Sequence, residues 1–101
     1  MSTDRLRDLS HPQRNRLAYI EQKIWFAGDM RRHDLVERFG VQTAAATRDF
    51  TLYRELAPGN MAYDSRTKIY LLGPDFRPLF SHSPQRILTW LAEGFRDGEP
   101  V

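Results

Sequence analysis

The 101 residues contain no cysteine, which excludes a disulfide framework, a thiolate nucleophile and any cysteine-ligated zinc site. Such a chain fits a reducing compartment. Long apolar runs are also missing. The stretch Ile69 to Pro74 is far short of the roughly 20 apolar residues that span a bilayer, and Met1 to Arg5 lack the apolar core of a signal peptide. A cytoplasmic, nucleoid-associated protein without membrane contact is expected. Lysine is scarce: Lys23 and Lys68 are the only two among 15 cations, so the remainder are arginines. Arginine's planar fork suits phosphate oxygens and guanine edges, although a GC-rich genome gives the same bias with no binding role. Against 13 acids the formal charge is only +2, too small by itself to define a polyanion binder, while the pI of about 9.3 is in the range of nucleic-acid domains.

Catalytic signals are sparse too. There is no glycine-rich phosphate loop, nucleophile motif or paired-carboxylate arrangement, so neither enzymatic activity nor a cofactor is expected. His33 and Glu37 are spaced for a shared metal, but no third ligand accompanies them and a solvent-facing pair is the simpler reading. No metal site is expected. His11 and His82 sit beside helix starts, where local turns explain them.

What is present is helix punctuation. Ser10-His11-Pro12-Gln13 has the form of a capping box, and Ser83-Pro84 places a second helix start. From the first, Leu17, Ile20, Ile24 and Ala27 form an amphipathic stripe, with Arg14, Arg16 and Glu21 on the polar face and Gly28 as the stop. A short extended piece at Asp29-Met30-Arg31 precedes a second helix from about Arg32 to Phe39. This helix lacks a good N-cap, although Asp34 lies in its first turn, and Gly40 ends it. A third helix starts at Gln42 or Thr43 and runs to about Leu56, with Ala46, Phe50 and Tyr53 on its buried side. Pro58-Gly59-Asn60 breaks it. Met61 to Asp64 and Thr67 to Leu72, separated by Ser65-Arg66, read as a β-hairpin. Gly73 to Phe80 form a stiff connector whose aromatics fold back, and Pro84 to Gly94 form a fourth helix with Ile87, Leu88 and Leu91 on its apolar face.

The predicted fold is mostly α with a small β-ribbon: a winged helix-turn-helix of order α-β-α-α-β-β plus a C-terminal helix. Residues 1–10 form an N-terminal arm, 11–80 the domain, and 81–101 a helix and linker toward an absent part of a longer protein. The third helix has the small and polar outer face that a major groove admits. Gln42, Thr43, Ala44, Thr47 and Arg48 are the expected base-facing residues; Arg48 is positioned to fork onto guanine, and Ala46 is assigned to packing. Asp49 would repel phosphate if it faced outward and is expected to pair locally with an arginine. On the wing, Arg66 and Lys68 are expected on phosphate or in the minor groove, and Arg31 and Arg32 are expected to clamp backbone.

Several segments carry a resemblance. Arg16-Leu17-Ala18-Tyr19-Ile20-Glu21, Asp34 to Val41, Arg48-Asp49-Phe50-Thr51-Leu52-Tyr53, Leu56-Ala57-Pro58-Gly59-Asn60-Met61-Ala62-Tyr63-Asp64 and Gly73-Pro74-Asp75-Phe76-Arg77-Pro78-Leu79-Phe80 resemble the N-terminal winged helix-turn-helix of WYL-domain transcriptional regulators. The similarity is to the subgroup associated with BREX and CBASS anti-phage defence, and it covers roughly residues 12 to 80. It implies a homodimeric repressor that binds an inverted repeat of double-stranded DNA in its own operon and is released by a ligand sensed elsewhere in a longer protein. That ligand-sensing region does not lie in these 101 residues. The alternative, of a different class, is a winged-helix protein-association module in which the fourth helix with Trp25, Phe26 and Trp90 forms the partner surface and no DNA is bound.

Overall fold

A computed structural model describes residues 6–80. The first long helix, α1 (His11–Ala27), starts where the Ser10 hydroxyl accepts from the Gln13 N–H at 3.2 Å, with Pro12 in the first turn, where its missing donor costs nothing. Only half of the expected capping box forms. The Gln13 side chain donates instead to Asp49 Oδ1 at 3.3 Å, across the domain. At the other end Gly28, at φ 88°, takes the left-handed position that closes the helix, and its N–H donates to Ile24 O at 2.9 Å.

The strand β1 (Asp29–Met30) leads into α2 (Arg32–Phe39). Although Arg31 cannot cap through its own side chain, the Asp34 carboxylate accepts from the Arg31 N–H at 2.8 Å, so one of the helix's orphan donors is satisfied from within the first turn. Gly40, at φ 69°, ends α2. After Val41 and Gln42, α3 (Thr43–Leu56) packs its Ala46, Phe50 and Tyr53 face inward, as the spacing predicts. The wing is β2 (Met61–Asp64) and β3 (Ile69–Leu72), paired antiparallel from Met61 opposite Leu72 to Asp64 opposite Ile69. Its connection differs from the expected two-residue turn. Residues 65–68 form a four-residue loop, and β3 begins at Ile69 rather than Thr67. The Asp64 carboxylate accepts from the Arg66 N–H at 2.9 Å, and the Lys68 N–H closes the loop on Asp64 O at 2.7 Å. The Arg66 N–H, with the Thr67 hydroxyl and N–H, holds the Asp64 carboxyl below the usual carboxylate range.

The short strand joins the wing. β1 pairs with β3 through Asp29 opposite Leu71 and Met30 opposite Tyr70, giving a three-stranded sheet of order β1-β3-β2. This pairing ties the wing to the junction of α1 and α2. In the core, Phe50 of α3 stacks on Tyr70 of β3 with ring centroids 4.0 Å apart, and Tyr19 of α1 meets Phe39 of α2 edge-on at 5.5 Å. Leu6 and Leu9, ahead of α1, pack against the same core.

α1 departs from the expected amphipathic stripe. Every residue from Leu17 to Ile24 is buried, Glu21 included, whereas Ala27 is exposed. Glu21 was expected on the polar face, but there it holds the connector: its Oε1 accepts from the Tyr53 hydroxyl and from the Leu79 N–H, both at 2.7 Å, and its Oε2 accepts from the Phe80 N–H at 3.0 Å. Asn60 extends the network. Its amide donates to Tyr53 Oη at 3.0 Å and to Arg77 O at 2.7 Å, and its oxygen accepts from the Arg77 N–H at 2.7 Å. Burial, reinforced by the Glu21 charge, pushes the Tyr53 phenol far above its ordinary range, so it stays neutral, donating to Glu21 and accepting from Asn60. The connector also folds its aromatics back as expected, Phe76 against Trp25 at 5.1 Å and Phe80 beneath the Arg14 guanidinium at 5.4 Å.

The connector leaves β3 through Gly73, whose backbone lies directly on the Gly59-Asn60 turn. A Cβ at Gly73 would stand 2.2 Å from Gly59 O and 2.8 Å from Asn60 C. Both are backbone atoms, so no side-chain rotation relieves the overlap. Gly73→Ala is therefore expected to lower stability by about 1–3 kcal/mol, while Gly59→Ala, whose Cβ meets the Asp75 Cβ at 3.1 Å, loses less. Urea denaturation of the two variants checks the order. Equal midpoints would show that the turn yields freely at both glycines.

Candidate nucleic-acid interface

α2, the Gly40 turn and α3 form a helix-turn-helix, with α2 and α3 packed on each other and α3 also resting on α1. The orientation of α3 is set by Asp49. It is 1% exposed and accepts from Arg16 Nε and, at 3.4 Å, from Arg16 Nη2, while Gln13 donates to it from one turn earlier on α1. The expected local pairing is thus corrected. The partner lies 33 residues away, because Asp49 faces α1 and no arginine of its own helix shares that side. Arg48, a residue earlier and about 100° around the helix, is exposed.

With Ala46, Phe50 and Tyr53 turned inward, the opposite face of α3 carries Ala44, Arg48, Thr51 and Glu55, all exposed. Gln42 and Thr43 are exposed at its N-terminal end, and Ala46 is fully buried, in keeping with its packing assignment. Thr47 lies on the flank. Its hydroxyl donates to Thr43 O at 3.1 Å and accepts from Arg32 Nη1 at 3.2 Å, so it bridges α3 to α2 while half-buried. Thr51 escaped the sequence reading, although its place seven residues after Ala44 and three after Arg48 already put it on the same stripe. Beside it, Arg54, Glu55, Pro58 and Met61 line a shallow groove toward β2.

The remaining expected residues fall into two groups. Arg66 is exposed in the wing loop. Arg31, Arg32 and Lys68, all exposed, meet with His33, Val36 and Thr43 around one cavity between α2, α3 and the wing. His33 Nε2 is 2.9 Å from Glu37 Oε2, so these two side chains satisfy one another at the surface. Among the described residues no group of three or more potential ligands could hold a metal ion, and no helix is long and apolar enough to cross a membrane. The expected fourth helix, with Trp90, and residues 1–5 of the expected N-terminal arm lie outside the described residues.

Among the described residues, α1 to α3, a helix-turn-helix whose second helix presents a small, polar outer face, and a three-stranded sheet that carries the wing define a winged helix-turn-helix domain. The family described as the BrxR transcriptional regulator winged helix-turn-helix domain matches residues 12–93, and the chain belongs to it. Over 71 residues the chain is 37% identical to the DNA-binding transcriptional repressor CapW of Stenotrophomonas maltophilia, a match covering 70% of this chain and 24% of that protein. The CapW repressors of Pseudomonas aeruginosa and of Escherichia coli are 32% and 31% identical with the same coverage. The chain spans about a quarter of the length of these curated relatives.

Proposed function

We propose that this domain is the sequence-reading head of a transcriptional repressor and binds double-stranded DNA with α3 in the major groove and the wing on the backbone. The observation that carries the reading is the outer stripe of α3. Ala44 lets the backbone approach base edges, Arg48 stands at the centre of the exposed face, and Gln42 and Thr43 supply polar groups at the end that enters the groove first. Arg31, Arg32, Arg66 and Lys68 flank this stripe with positive charge suited to phosphate. The names of the CapW relatives agree with this reading. Within the longer protein, two heads would sit on the half-sites of an inverted repeat about 34 Å apart, or a multiple of that. That arrangement implies a homodimer, and the resemblance supports an operator in the protein's own phage-defence operon.

Selection of a duplex from a randomised library, followed by fluorescence anisotropy over a salt series, tests the reading. A recovered consensus and an affinity that falls steeply with salt support it; failure to enrich any sequence overturns it. Arg66→Ala is expected to weaken binding about equally across sequences and to flatten the salt slope by about one. A loss confined to one base position would instead make Arg66 a base reader.

One observation favours a second surface. Trp25 and Phe26 are 38% and 43% exposed and stack on each other at 5.0 Å, an apolar contact area that uses none of the α3 stripe. It belongs to a protein-association role, which can coexist with DNA reading.

A further inference from the structure

The cavity bounded by Arg31, Arg32, His33, Val36, Thr43 and Lys68 has a volume of about 260 Å³ and no carboxylate in its lining. Its walls come from three places in the chain: the start of α2, the first residue of α3 and the wing loop. Arg32 spends one guanidinium nitrogen on Thr47, and His33 is engaged by Glu37. The Arg31 and Lys68 side chains make no ion pair among the described residues. Three cations around one polar space repel each other, so an anion seated among them gains from all three.

A second observation concerns Lys68 itself. It is the one residue other than glycine with positive φ among the described residues, at 61°. The left-handed region is costly for a side chain with a Cβ, and glycine or asparagine is the usual occupant. Here the loop seats a lysine there, and that lysine is part of the cavity's lining. Backbone strain retained at a position whose side chain lines a charged pocket is the pattern of a site shaped for a ligand.

We propose that this cavity clasps a single DNA phosphodiester, gripped from the α2 side by Arg31 and Arg32 and from the wing by Lys68, so that one backbone phosphate fixes the wing relative to the helix-turn-helix. The inference rests on the DNA-reading proposal and narrows it from scattered basic contacts to one shared ligand. The cavity includes Thr43, adjacent to Ala44 of the reading stripe, so a duplex lying along α3 brings its backbone to this opening.

Lys68→Gly separates fold from function. Glycine relaxes the loop and removes the ammonium, so the thermal midpoint is expected to hold or rise while binding to the library-selected duplex weakens and its salt slope becomes shallower by about one. The same duplex with methylphosphonate, an uncharged linkage, at each position in turn locates the phosphate. One linkage should weaken wild-type binding several-fold yet cost Lys68→Gly and Arg31→Ala little. Wild-type affinity and slope in Lys68→Gly would overturn the clasp, as would methylphosphonate losses identical in wild type and variants. Thermal stabilisation by inorganic phosphate without a sensitive linkage would reassign the cavity to a free anion and overturn it too. If no duplex is selected at all, the DNA-reading proposal fails first and the clasp falls with it.

Discussion

Glu21→Ala is expected to destabilise the domain by about 3 kcal/mol or more, because it strips the acceptor from three donors at once. The Tyr53 hydroxyl and the Leu79 and Phe80 N–H groups all end on this buried carboxylate, and each orphaned group costs about 1–3 kcal/mol. A domain of this size has roughly 5–10 kcal/mol to lose, so the variant should be largely unfolded near physiological temperature. Glu21→Gln keeps one acceptor oxygen and is expected to lose less. Its milder phenotype keeps the test readable if the alanine variant does not fold. Equilibrium urea denaturation measures both. A double-mutant cycle with Tyr53→Phe should show coupling, since the two side chains share a bond. A loss below about 1 kcal/mol in Glu21→Ala would show that the connector is held by its apolar contacts, Phe76 on Trp25 and Phe80 under Arg14, and not by the carboxylate.

Arg48→Ala is expected to cost about 1–3 kcal/mol of binding, roughly a 5- to 150-fold loss in affinity, with specificity relaxed at one or two base positions and little change in stability. The side chain is exposed at the centre of the outer α3 face, and the buried Asp49 beside it, held by Arg16 and Gln13, fixes the rotation of the helix. The distinction from Arg66→Ala is diagnostic. Losing a base contact changes which sequences bind, while losing a phosphate contact weakens all of them alike. Anisotropy against the selected duplex and single-base variants reads this directly. Equal binding by wild type and Arg48→Ala would remove α3 from the major groove. Lys is not an adequate substitute at such a position, because the bidentate fork onto guanine needs the guanidinium plane. Arg48→Lys should therefore recover phosphate-like affinity without the base preference.

The particular motifs that suggested a family have separate physical explanations here. Pro58-Gly59-Asn60 ends α3, gives Gly73 a place to lie flush, and supplies the Asn60 amide that grips the Arg77 backbone from both sides. Leu79-Phe80 at the end of the connector is where Glu21 of α1 takes hold. These segments are about 20 and 60 residues apart in pairs, yet they form one network, which accounts for their appearing together in one sequence.

By itself the sequence determined the element order and nearly every boundary, because those signals are local: a serine cap before α1, glycines after α1 and α2, a Pro-Gly break after α3, and a 3.6-residue period that turned Ala46, Phe50 and Tyr53 inward. It also put Arg48 on the exposed face of α3, since position on a helix face follows from spacing alone. Only the tertiary structure decided how Glu21 and Asp49 are used. Both look like surface acids in a local window, and each is buried by partners 32 to 59 residues away, where several donors offset the desolvation of a carboxylate. The same holds for Lys68. Periodicity placed it in a strand, but the loop runs two residues further and seats it with positive φ, beside arginines more than 30 residues earlier in the chain. Propensity and spacing reach a few residues along the chain. Burial and charge convergence depend on which distant surfaces meet, and that was set when β1 joined the wing to the helices.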